Sequence, residues 1–141
     1  MEHHRKLERM YAAAPINGWF QADLRVDHRR AVVHIPLRPE FQHSAGATHG
    51  CLYFKAMDDA AFFAANSIVE GVFVLTADFQ LKLLKPVVSG SIRAVGEVTS
   101  EDARRIYAKA DLFNDQGELI GRGEGSFAKS QIPLGPEVHY A

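Results

Sequence analysis

Residues 51–68 constrain the fold of this chain more than any other segment. They contain no glycine or proline, and their apolar residues include alanine, leucine, methionine and phenylalanine. Because the apolar side chains would cover most of the circumference of a helix, the pattern predicts a long helix that is buried. Ser44 or Thr48 is expected to cap its start, and Gly71 lies just past its end. Such a helix requires other elements that surround it.

Strand-like segments stand on both sides of the long helix. Residues 3–14 predict a short amphipathic helix that ends before Pro15, and Asn17-Gly18 predicts a turn. The polar residues 27–30 divide the next two strands into a hairpin, and four further strands, expected to form a meander, follow the long helix. The predicted strands are residues 19–26, 31–37, 72–84, 90–100, 104–114 and 118–130.

This order of elements predicts an α+β hot-dog fold, in which an antiparallel sheet wraps around a long central helix. The competing fold is the cone-shaped α+β barrel of small isomerases and dehydratases. That barrel ordinarily has more helix before its first strand than residues 3–14 provide. A length of 141 residues suits one domain with a single core.

Charge and cysteine content exclude several classes of function. The formal net charge is −1, so neither a nucleic acid nor an anionic membrane is an expected partner. One cysteine allows no intrachain disulfide, and the seven histidines show no ligand spacing, so no metal or other cofactor is expected. The N-terminus lacks the apolar core of a signal peptide, and no apolar run reaches the ~18 residues of a membrane span. We therefore expect a cytoplasmic protein.

Gly50, where the loop enters the long helix, is the first candidate site residue. Backbone N–H groups in the first turn of a helix have no intrahelical acceptor and lie at the positive end of the helix dipole. A glycine there lets a substrate carbonyl approach without a Cβ in the way. The Gly50 N–H is thus a candidate donor to an oxyanion, although Gly46 and Gly50 are also compatible with a simple tight turn.

Asp58 is the second candidate. It lies in the middle of the long helix with Phe54 and Phe62 four residues away on either side. A carboxylate in such apolar surroundings is unusual, and desolvation would raise its pKa and make it a better base or nucleophile. The neighbouring Asp59 has Lys55 four residues before it, and an ion pair explains it sufficiently.

These residues resemble a known pattern. His49-Gly50, followed by Asp58 nine positions after the histidine, is similar to the motif of the PaaI-type hot-dog thioesterases, which is His-Gly-Gly, apolar residues and an Asp at the same offset. The resemblance covers roughly residues 18–128. Its downstream matches are Leu84-Lys85-Pro86-Val87 with Gly90, Arg104-Arg105, and residues 114–120.

The resemblance implies a single hot-dog thioesterase domain over residues 1–141, with a short N-terminal helix. It makes Asp58 the general base or nucleophile on a thioester carbonyl, delivered by one subunit. The Gly50 N–H, with His49 beside it, would polarise that carbonyl from the other subunit. Thr76, ten residues before Pro86, would orient the attacking water. The implied substrate is an acyl-CoA or acyl-carrier-protein thioester, and the implied assembly is a homodimer or homotetramer with its site between subunits.

Two positions depart from the family pattern. His43 stands where relatives often carry an asparagine, so it becomes the candidate for positioning the carbonyl or the water. Cys51 replaces the second glycine, either as a small core residue or, near a helix N-terminus, as a nucleophile. The expected substrate-binding residues are Cys51, Phe54 and Phe62, together with the cations Lys82, Lys85, Arg104 and Arg105 near the phosphates of CoA.

Two other functions remain open. A hot-dog hydratase or dehydratase of enoyl or 3-hydroxyacyl thioesters pairs a histidine with an acid only a few residues away, and residues 41–52 contain no Asp or Glu. A non-catalytic acyl-CoA-binding module is the third possibility, because of the departures at His43 and Cys51. Thioester hydrolysis remains the leading prediction.

Overall fold

A computed structural model describes residues 1–141 as three α-helices, six strands and two short 3-10 helices. In chain order the elements are α1 (Glu2–Ala13), α2 (Pro15–Phe20), β1 (Asp23–Asp27), β2 (Arg30–Pro36), a 3-10 helix (Pro39–Phe41), α3 (Gly50–Asn66), β3 (Val72–Leu83), β4 (Ser91–Glu101), β5 (Arg105–Phe113), β6 (Leu119–Pro133) and a 3-10 helix (Pro136–Val138). None of the helices has the length and hydropathy needed to cross a membrane.

The six strands form one antiparallel sheet in the order β1-β2-β4-β5-β6-β3, and α3 packs on its inner face. The predicted α+β hot-dog fold is therefore confirmed. Alternate residues of the strands point toward α3, as the period of two requires. The fully buried large side chains of this inner face are Val26, Val33, Ile35, Val74, Ile92, Ile106, Leu112, Ile120 and Phe127.

Helix α3 approaches β4 at backbone distance. A Cβ placed on Gly96 would lie 2.3 Å from the carbonyl carbon and oxygen of Ala60 and 2.7 Å from the nitrogen of Ala61. The residues around this contact are also small, since Ala94 on β4 and Ala108 on β5 are both buried beneath the helix. Small side chains on both surfaces therefore fix how deeply the helix sits in the sheet.

The predicted turn at Asn17-Gly18 and strand from residue 19 were wrong. Residues Pro15–Phe20 form helix α2 instead, and the strand starts only at Asp23. Pro15 occupies the first helical position, where its missing N–H is not needed. The buried Asn17 side chain donates to the Tyr11 carbonyl at 2.8 Å and ties α2 to α1. Gln21, in the left-handed conformation with φ of 55°, ends the helix.

The predicted four-strand meander was also wrong in one strand. β4, β5 and β6 are consecutive neighbours, but β3 pairs only with β6 at the far edge of the sheet. The connection from β3 to β4 therefore crosses the sheet. Hydrophobic alternation specifies which face of a strand is buried, not which strand lies beside it. The outer edge of β3 has no partner strand within the chain.

We predict that Gly96→Ala destabilises the protein by about 1–3 kcal/mol, because the added methyl group must push α3 away from β4. Urea unfolding measures the change. Gly18→Ala is the matched control, since no atom lies within 4 Å of its added Cβ and the site is helical. The control is expected to be neutral or to add up to about 1 kcal/mol of stability. Equal stability of Gly96→Ala and wild type would contradict the close packing.

Candidate active site

Asp58 combines partial burial with a single hydrogen-bond donor. Thr76 on β3 donates from Oγ1 to Asp58 Oδ1 at 3.0 Å. Burial, reinforced by the negative charge of Asp59, raises the pKa of Asp58 to about 6, against the opposing effects of the Thr76 hydrogen bond and Lys55. The carboxylate is therefore mostly ionised at neutral pH yet more basic than an exposed aspartate.

Asp59, the next residue, has two polar partners on one carboxylate oxygen. The Lys55 Nζ lies 2.7 Å from Asp59 Oδ2, so the predicted ion pair is present. The Tyr11 hydroxyl donates to the same oxygen at 2.7 Å. Burial raises the pKa of Asp59, and both partners oppose that effect by favouring its charged form. Asp59 thus joins α3 to α1 through a cation and a hydroxyl group, whereas Asp58 receives only the Thr76 hydrogen bond.

A cavity of about 230 Å³ opens beside Asp58. Thr76 and the predicted residue Phe62 line it with the carboxylate. The other apolar residues of its lining are Met10, Tyr11, Ala14, Ile16, Phe63 and Phe73. An apolar group held in this cavity would lie against the basic carboxylate.

At the start of α3, Gly50 presents a free backbone donor. It is the first residue of α3, and its N–H makes no hydrogen bond within the chain. The predicted caps, Ser44 and Thr48, were wrong, because His49 caps the helix and accepts the Cys51 N–H on Nδ1 at 2.9 Å. That bond places the proton of the neutral ring on Nε2. Two donors, Gly50 N–H and His49 Nε2–H, are therefore available at the helix start.

Gly50 and Asp58 do not share a cavity within one chain. Gly50 lines a separate cavity of about 360 Å³ with His43 and Lys85. Asp58 lies eight positions after Gly50 on α3, which is about 12 Å along the axis at the rise of an α-helix. A base and an oxyanion donor must each lie within about 3 Å of the same reacting group. One copy of the chain therefore does not bring the two predicted groups onto one carbonyl.

Three further predicted residues, His43, Cys51 and Phe54, also lie outside the Asp58 cavity. His43 is exposed, and its Nδ1 accepts the Ala45 N–H at 3.1 Å. Cys51 is exposed and lines a third cavity, of about 220 Å³, with His49. Phe54 is 42% exposed and packs edge-on against Phe79 at a ring distance of 5.8 Å.

The predicted cations are dispersed. Lys85 lines the Gly50 cavity, although its Nζ also lies 3.0 Å from a Glu118 carboxylate oxygen. Arg105 lies 3.9 Å from an Asp78 carboxylate oxygen on the surface of the sheet. Lys82, Arg104 and Arg105 line neither the Asp58 cavity nor the Gly50 cavity.

Sequence reasoning missed the contribution of α1 and α2 to the Asp58 cavity. Met10, Tyr11 and Ile16 all line it. The helical spacing of Leu7, Met10 and Tyr11 indicated an inward face for α1. Nothing in that spacing indicated that the face would lie beside Asp58, because the contact joins residues more than 40 positions apart.

Comparison with known families identifies the chain. The model of the thioesterase superfamily matches residues 45–120, which include Gly50, Asp58 and Thr76. The chain belongs to the thioesterase superfamily. A Saccharolobus solfataricus protein described as a "putative esterase" is 25% identical over 104 residues, covering 74% of each chain.

Solved structures of this superfamily share the fold. The E. coli PaaI protein from the phenylacetic acid degradation operon superposes with a TM-score of 0.84 at 18% identity, covering 94% of this chain and 99% of that one. A thioesterase family protein from Silicibacter pomeroyi superposes with a TM-score of 0.82 at 22% identity, covering 90% and 97%. The predicted resemblance to the PaaI-type hot-dog thioesterases is confirmed.

We predict that Asp58→Asn stabilises the folded protein at pH 7.5 by roughly 1–3 kcal/mol. The raised pKa means that the folded state disfavours the ionised carboxylate more than the unfolded state does, and an amide removes that cost. The gain should shrink as the pH falls from about 6 toward 4, where wild-type Asp58 is protonated in the folded state. Urea unfolding at pH 7.5 and 4.0 measures both values, and a gain that is absent at pH 7.5 contradicts the raised pKa.

Proposed function

We propose that this protein hydrolyses an acyl-CoA or acyl-carrier-protein thioester to the free acid and the thiol. The observation that carries the proposal is the Asp58 carboxylate, which has a raised pKa, a hydroxyl partner in Thr76 and an apolar cavity beside it. Membership of the thioesterase superfamily supports the same reaction. No cofactor is required, because water supplies the atoms that enter the product.

In the proposed reaction, Asp58 acts as general base on a water molecule that Thr76 helps to orient. The water oxygen attacks the thioester carbonyl while its proton passes to the carboxylate. The tetrahedral oxyanion then re-forms the carbonyl, the C–S bond breaks, and the thiolate takes the proton back from Asp58. Alternatively, Asp58 attacks the carbonyl directly, and the C–S bond breaks to release the thiolate and leave a mixed anhydride. Water then hydrolyses the anhydride to the free acid and the Asp58 carboxylate, and the proton released is taken up by the thiolate. Both routes need a donor at the oxyanion.

We assign the oxyanion donor to Gly50 of a second subunit. The N–H of Gly50 is free, lies at a helix N-terminus and lacks a side chain, and these properties suit a developing negative charge. The separation of about 12 Å from Asp58 on the same helix requires a second chain to complete the site. The unpaired edge of β3, which carries Thr76, is a surface on which two copies could join their sheets. A homodimer or homotetramer with shared sites is therefore part of the proposal.

The test is release of free thiol from a panel of acyl-CoAs. Wild type is expected to cleave at least one substrate, and Asp58→Asn should lower kcat by about 10²–10⁴-fold, the usual contribution of a general base. Thr76→Val should lower it by a smaller factor. Asp27→Asn, the same substitution at an exposed residue of β1, is the matched control and should retain activity.

Other results would redirect the proposal. Undiminished turnover in Asp58→Asn on every cleaved substrate would remove Asp58 from the reaction. Binding of acyl-CoA without thiol release by wild type would favour the binding module. Loss of activity in Cys51→Ser while Asp58→Asn stays active would assign the nucleophile to Cys51.

A further inference from the structure

We propose that the corner between α1 and α2 limits the length of the acyl group, and that Ile16 is the residue that sets the limit. The inference rests on the proposed function, because it places the acyl group in the cavity beside Asp58. Met10 and Tyr11 from α1 and Ile16 from α2 line this cavity together with aromatic residues of α3 and β3. An acyl chain that extends from a carbonyl at Asp58 would meet this corner.

Polar contacts hold the corner in place. Asn17 on α2 donates to the Tyr11 carbonyl at 2.8 Å, and its side-chain oxygen accepts from the Lys55 ammonium. Lys55 and Tyr11 both bind Asp59 at 2.7 Å. The corner is thereby fixed to the same helix that carries the catalytic carboxylate. A rigid corner selects acyl groups by length, because its closely packed residues do not move to accommodate a longer chain.

The charges of the cavity favour an uncharged acyl group. Lys55 is the one cation in its lining, and Asp59 and Asn17 already occupy it. The two acids of the lining, Asp58 and Asp59, would repel a carboxylate at the far end of an acyl chain. A dicarboxylic acyl group would thus be buried without a partner cation, which is costly. We expect hydrocarbon acyl groups to be accepted and those with a terminal carboxylate to be rejected.

Ile16 can be changed without removing core packing. Its side chain is 55% exposed, whereas Met10, on the same wall, is 5% exposed and belongs to the core. Ile16→Ala deepens the cavity and Ile16→Phe shortens it. Ile132→Ala is the matched control, because Ile132 is 42% exposed on β6 and does not line the cavity.

The experiment measures kcat/KM for straight-chain acyl-CoAs of increasing length and for one ω-carboxyacyl-CoA. One methylene in an apolar pocket changes kcat/KM by about 10-fold or more. Ile16→Ala should therefore raise the ratio of long-chain to short-chain kcat/KM by at least about 10-fold, and Ile16→Phe should lower it similarly. Ile132→Ala should leave the ratio as in wild type, and the ω-carboxyacyl substrate should be poor throughout.

A binding measurement separates this inference from the proposed function. Acyl-CoA dissociation constants are determined by calorimetry on Asp58→Asn, with and without Ile16→Ala. If Ile16→Ala shifts the acyl length that binds most tightly but wild type releases no thiol, the length limit set by Ile16 is supported and the proposed hydrolysis is rejected. If both Ile16 variants keep the wild-type length preference and only Asp58→Asn loses hydrolysis, the length limit set by Ile16 is wrong. The proposed thioester hydrolysis is then still supported.

Discussion

The contact between the backbones of α3 and β4 at Gly96 is the constraint on which the rest of this structure depends. An added Cβ at Gly96 would lie 2.3 Å from Ala60 backbone atoms, so the helix lies as close to the sheet as the chain permits. Asp58 and Asp59 directly precede Ala60. The depth of this packing therefore fixes how far each carboxylate stands from β3, α1 and solvent.

Two adjacent carboxylates take different roles because their partners differ. Asp59 faces α1 and binds Lys55 and Tyr11, and these bonds anchor the N-terminal helices and oppose the rise in the pKa of Asp59 that burial causes. Asp58 faces β3 and receives one hydrogen bond from Thr76. Burial and the negative charge of Asp59 raise the pKa of Asp58 to about 6. The same burial that lowers the stability of the folded protein at neutral pH makes the Asp58 carboxylate a stronger base.

Local sequence patterns predicted much of this structure, and the parts they missed depend on contacts between distant residues. The apolar run at residues 51–68 identified α3 to within two residues at each end, and the i, i+4 spacing identified the Lys55–Asp59 pair. The position of β3 beside β6 was not predictable, because alternation does not encode neighbours. The His49 cap was missed because a histidine nitrogen is an uncommon capping acceptor.

The most direct test of the proposed shared site is the activity of mixed oligomers made from two inactive chains. Gly50→Pro removes the N–H that is proposed to bind the oxyanion. Proline is tolerated at this first helical position. The preceding residue, His49, already has the extended conformation that proline requires of it, with ψ of 143°. Gly50→Ala keeps the N–H and adds only a methyl group, 3.3 Å from Leu83 Cδ1, so it measures the steric part of the substitution. Mixing Gly50→Pro with Asp58→Asn chains should restore about one quarter of wild-type activity in a symmetric dimer, since half of the dimers are mixed and each has one intact site. Verified mixed dimers without restored activity, or a Gly50→Pro chain as active as wild type, would contradict a site shared between Asp58 and Gly50 of two subunits.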